Sequence, residues 1–67
     1  MIVTYEEHPH RIEVIARHET FYQAFNALKA RPDCLFIEED SDNKDCADAY
    51  MAGGRVVSIE PASRRNI

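Results

Sequence analysis

Ser41-Asp42-Asn43-Lys44-Asp45-Cys46-Ala47-Asp48-Ala49-Tyr50-Met51-Ala52-Gly53-Gly54 is the stretch on which the fold turns. Ser41 and Asp42 are good N-cap residues, acidic side chains crowd the turn that follows, and the glycine pair offers a left-handed stop. The pattern predicts a short helix over residues 43–52. Working upstream, Cys34-Leu35-Phe36-Ile37 is an apolar run too short for a helix and reads as a central strand. Before it, Thr20 and Gln23 have capping-box spacing, and Phe21, Ala24, Phe25 and Leu28 recur on one helical face until Pro32 ends the element. Residues 2–7 and 11–17 are rich in β-formers and flank Pro9, which predicts a hairpin. In its second strand Ile12, Val14 and Ala16 point one way, and Arg11, Glu13, Ile15 and Arg17 the other. Downstream, residues 55–60 read as a last strand closed by Pro61.

The predicted order is therefore ββαβαβ. The fold class is α+β: a four-stranded mixed sheet with two short helices on one face, because the 16 residues between Arg17 and Cys34 allow a crossover. Residues 1–61 form the single domain and residues 62–67 a loose C-terminal tail. The uncovered sheet face then collects Tyr5, Ile15, Phe36 and Val56 or Val57, too apolar a set to be left in water if clustered.

Composition narrows the function classes. Twelve Asp and Glu against eight Lys and Arg give a net charge of −4 over 67 residues, unfavourable for indiscriminate binding to nucleic acid or membranes. Ile, Leu, Val and Phe make up 15 of 67 positions, just above the roughly 20% below which charged chains stay disordered, so a partner or a second copy would help stability. Met1 to Glu7 has no basic or long apolar signal segment, and the longest run without Asp, Glu, Lys or Arg, Thr20 to Leu28, is too short to span a bilayer. Two cysteines without CxxC spacing suit a reducing compartment, and the expected localisation is cytoplasmic, with a disulfide between Cys34 and Cys46 left open.

Charge is concentrated. Glu38, Glu39, Asp40, Asp42, Asp45 and Asp48, against Lys44, give residues 38–48 a net −5, and the rest of the chain sums to +1. Such a segment can hold a divalent cation, meet a basic protein surface, imitate phosphates, or simply complement a helix dipole. Calcium fits poorly: an EF-hand loop beginning at Asp40 has Lys44 at its fifth place, Asp45 where glycine belongs and Met51 at its twelfth. His8, His10 and His18 do not make a zinc set, because His18 falls at the far end of the hairpin. No metal or other cofactor is expected. Cys46 in the first turn of a helix would have a lowered thiol pKa, but its acidic neighbours oppose a thiolate. No phosphate loop, dinucleotide fingerprint or G-x-S-x-G is present, so no catalytic residue is assigned and no enzyme is expected.

The expectation is a small accessory or regulatory domain acting by protein–protein contact, with itself as a homodimer or with a larger protein. Its contact residues are the acidic segment (Glu38, Glu39, Asp40, Asp42, Asp45, Asp48) or the apolar face (Tyr5, Ile15, Phe36, Val56). Direct nucleic-acid and membrane contacts are not expected. The alternatives are an acidic decoy filling another protein's nucleic-acid-binding groove and a small thiol enzyme using Cys46.

Overall fold

Pro9 and His10 close a hairpin in which β1 (Ile2–His8) pairs antiparallel with β2 (Arg11–His18), from Ile2 opposite His18 to His8 opposite Arg11. The computed structural model describes all 67 residues, Met1–Ile67. Helix α1 (Phe21–Lys29) follows, then β3 (Cys34–Glu39), β4 (Ala47–Met51), β5 (Arg55–Pro61) and one helical turn, α2 (Ala62–Arg65). The five strands form one sheet in the order β2-β1-β5-β4-β3, antiparallel throughout.

This corrects the predicted four-stranded mixed sheet and the ββαβαβ order. Residues 47–51, expected inside a second helix, are strand β4, and the acidic residues before it lie in a turn. The physical reason lies in the alternation within Ala47-Asp48-Ala49-Tyr50-Met51. Ala47, Ala49 and Met51 are buried while Asp48 and Tyr50 point to the opposite face. As a strand, this segment satisfies its backbone on two sides, with β3 and β5, whereas an isolated ten-residue helix is marginal in water. Gly53 and Gly54 do adopt left-handed φ values, +84° and +78°, but in the β4–β5 hairpin connection instead of at a helix end.

The crossover is real and spans the whole sheet. Helix α1 joins β2 and β3, which run in the same direction at opposite edges of the sheet. Its capping box forms as predicted: the Gln23 main-chain N–H donates to Thr20 Oγ1 at 3.2 Å, and the Thr20 N–H to Gln23 Oε1 at 3.1 Å. Phe21, Ala24 and Leu28 pack into one core cluster with Ile2, Ala47, Ala49, Met51, Val57 and Ile59, with Phe25, Cys34 and Ile37 at its margin. That is the helix-covered face.

Each edge strand carries a bulge. In β2, Thr4 pairs with Ala16 but Tyr5 with Val14, leaving Ile15 unpaired. The extra residue reverses the alternation, so Ile12 and Val14 point away from α1 and only Ala16 keeps the predicted face. In β3, Cys34 opposes Met51 and Phe36 opposes Tyr50, leaving Leu35 unpaired.

The second face is covered at its centre by the chain's own C-terminus. Residues 62–67, expected to be loose, include α2 and are tied down at several points. The Ala62 N–H donates to the Met1 carbonyl at 2.9 Å, and Arg17 Nη1 donates to the Ile67 carbonyl at 2.7 Å. Beside this segment Val3 and Tyr5, which belong to the second face by their register with Glu60 and Ser58, are fully buried. No helix is long and apolar enough to cross a membrane.

Candidate functional site

The acidic segment is organised by a turn at residues 41–45, not by a helix N-terminus. The Asp40 main-chain N–H donates to the Cys46 carbonyl at 2.9 Å and closes the loop joining β3 to β4. The Asp40 carboxylate accepts from Asn43 Nδ2 and from the Asp42 N–H, each at 2.9 Å. These bonds hold its pKa below the ordinary Asp value, with Arg64 contributing from the C-terminal segment. Arg64 Nη1 also donates to Asn43 Oδ1 at 2.8 Å. Asp45 takes a left-handed φ of +60°, a conformation Asp tolerates better than most residues. Glu38, Glu39, Asp40 and Asp48 come together around one shallow hollow with Ser41, and Asp42 and Asp45 stand outside it. Asp48 is engaged as well, accepting from Ser58 Oγ at 3.0 Å.

Strand pairing sets the apolar part of the site directly beside these carboxylates. Phe36, Tyr50 and Val56 are successive cross-strand partners on β3, β4 and β5, and the next row on the same face is Glu38, Asp48 and Ser58. The Phe36 and Tyr50 rings stack at 4.7 Å between centroids with 20° between planes. Phe36 remains 57% exposed and Val56 38%. Neighbouring Leu35, pushed out by the bulge, is 66% exposed.

Of the four apolar residues predicted for this face, Phe36 and Val56 lie together. Ile15 sits in the bulge on the opposite edge of the sheet, exposed but remote from them in the strand order. Tyr5 is a correction: it is buried, because the Arg65 guanidinium lies 5.4 Å from its ring centroid and its hydroxyl donates to Glu60 Oε2 at 2.6 Å. Tyr50 and Leu35 were missed. The alternation of Ala47, Ala49 and Met51 with Asp48 and Tyr50 was the available signal for Tyr50, and it was outweighed by the helix-like ends of the segment. For Leu35 the sequence holds no signal, since a bulge is a property of two strands.

Cys46 is buried just before β4, and its place in the first turn of a helix disappears with that helix. Burial pushes its thiol pKa up, opposed by Arg64 and reinforced by Glu60, Asp40 and Asp45. Both cysteines are free thiols.

One cluster had no counterpart in the sequence reading: Glu6, His8 and Glu13 bring three potential ligand atoms within 4.8 Å of one another. Hairpin register creates it, by setting Glu6 opposite Glu13 two steps before the His8–Arg11 pair, on the same face. Its negative charge is already answered by arginine. Arg55 Nη2 donates to Glu6 Oε1 at 2.8 Å, and Arg11 Nη1 lies 3.7 Å from Glu13. The Arg55 hydrogen bonds lower the Glu6 pKa. Comparison with known protein families, curated proteins and solved structures found no match to this chain.

Proposed function

We propose that this protein is a small interaction domain that works by protein–protein contact, through the end of the sheet where β3, β4 and β5 leave their second face open. The observation that carries this reading is the stacked Phe36–Tyr50 pair, its Phe36 ring exposed and Tyr50 half-buried, bordered by the carboxylates of Glu38 and Asp48. Exposed aromatic rings on a rigid strand supply contact area at little entropic cost, and an adjacent row of like charge selects partners of opposite sign. Helix α1 covers one face of the sheet and the C-terminal segment the centre of the other, which leaves two apolar patches, Ile12, Val14 and Ile15 on β2 and this corner, where Phe36 and Leu35 are the more exposed.

A photoreactive phenylalanine analogue at Phe36, with the same group at His10 and Glu19 as exposed controls, tests the reading inside the cell. Protein adducts are expected from position 36 and not from positions 10 and 19. Equal yields from all three positions, or none from position 36, would refute it.

A further inference from the structure

The sheet has two free edges, and they are built differently. Strand β2 sets Arg11, Glu13 and Arg17 among the partly exposed Ile12, Val14 and Ile15, charges of the kind with which proteins discourage edge-to-edge pairing. Strand β3 begins instead with Cys34-Leu35-Phe36-Ile37, four apolar residues in succession, two of them more than half exposed. A hollow of about 390 Å³ is lined by Phe25, Lys29, Cys34, Leu35, Phe36 and Ile37. Phe36 belongs to the face of Tyr50 and Ile37 to the face of Ala49, so a hollow touching both runs along the outer edge of the strand. There, half of the β3 main-chain N–H and C=O groups look outward with no strand beside them.

Charge is graded along this edge. Lys29, the last residue of α1, stands beside its beginning, and Glu38 and Glu39 form its end, Glu39 on the helix-covered face by its register with Ala47 and Glu38 on the other. An edge with the cationic end of α1 beside its start, apolar residues along its middle and a carboxylate at its end complements itself when turned around. In antiparallel register the acidic end of one copy lies against the Lys29 end of the other, and residues 35–37 meet their own counterparts across a two-fold axis. A parallel register would stack Glu38 and Glu39 on their own copies.

We propose that β3 pairs antiparallel with β3 of a second copy of this chain, joining two five-stranded sheets into one continuous sheet, with Lys29 of each chain facing Glu39 of its partner on the helix-covered side. This rests on the contact surface proposed above, whose outer margin at Phe36 is the edge of β3. The contact is one strand and one hollow long, so it forms with modest affinity.

Sedimentation of the full chain from micromolar to millimolar concentration, at low and high salt, tests the pairing. The mass is expected to double over that range. Leu35→Lys and Phe36→Glu, both at exposed positions that leave the core intact, are expected to hold the chain monomeric with an unchanged circular dichroism spectrum. Lys29→Glu alone, and Glu39→Lys alone, should each weaken association severalfold, and the double exchange should restore it. Arg11→Glu on the other edge should change nothing. A wild-type chain that stays monomeric at millimolar concentration overturns self-pairing, as does a dimer indifferent to Leu35→Lys and Phe36→Glu. A monomeric chain that still yields adducts with a different protein from position 36 would leave the contact surface standing and remove only the second copy. Monomer without adducts would remove both.

Discussion

At the scale of single residues, Tyr5 shows how a small domain uses a polar aromatic inside. Burial, and next the hydrogen bond its hydroxyl donates to Glu60, push its pKa from 10.0 to about 12. The folded chain therefore keeps a proton that the unfolded chain releases, and stability is fully present below about pH 10 and falls as pH rises toward 12. Ultraviolet titration should show a phenolate step near pH 12 that is missing from Tyr5→Phe. Identical titration curves for the two proteins would contradict the assignment. Glu6 gives the opposite sign. Its pKa is lowered by Arg55, so its contribution is present above the ordinary carboxylate range and is lost as pH falls through the lowered value. Arg55→Gln should unfold at a higher pH than the wild type in an acid titration followed by circular dichroism. Coincident acid transitions would mean that this exposed pair contributes nothing measurable.

At the scale of elements, the β4–β5 connection and the α1 N-terminus carry separable predictions. A helix end needs one left-handed residue, but this hairpin holds both Gly53 and Gly54 at positive φ. An added Cβ meets nothing within 4 Å at either position, so the cost of alanine is backbone strain alone. Gly53→Ala and Gly54→Ala should each destabilise by about 1–2 kcal/mol in urea titrations. A loss at only one of the two positions would fit a helix stop better than the hairpin. Thr20→Ala should cost about 1 kcal/mol through loss of the capping box, and an unchanged midpoint would show that the cap is dispensable. The α1 capping box, the Pro9 hairpin and the glycine pair's left-handed geometry were legible beforehand because their physics is settled within about four residues. The Ser41–Met51 segment was not. Its capping residues and alanines satisfy helical rules locally, and its two-residue alternation satisfies strand rules equally well.

At the scale of the molecule, the C-terminal segment does for the second face what α1 does for the first. Removing residues 62–67 uncovers Val3 and Tyr5 and deletes the contacts of Arg64 and Arg65, so the truncated chain should melt well below the full one. Equal melting temperatures would mean that the segment merely rests on the sheet. The chain by itself determined that a short amphipathic helix follows a hairpin, that a glycine pair turns the backbone left-handed, and that residues 38–48 gather carboxylates. Each of these depends on neighbours in sequence. Only the tertiary structure decided that residues 47–51 are a strand, because that choice is made by the ladders β3 and β5 offer on either side. It also decided the bulges at Ile15 and Leu35, which exist only relative to the strand opposite, and with them which side chains point to solvent. The stacked Phe36–Tyr50 surface follows from both, since cross-strand register, unlike helix capping, is fixed by residues far apart in the chain.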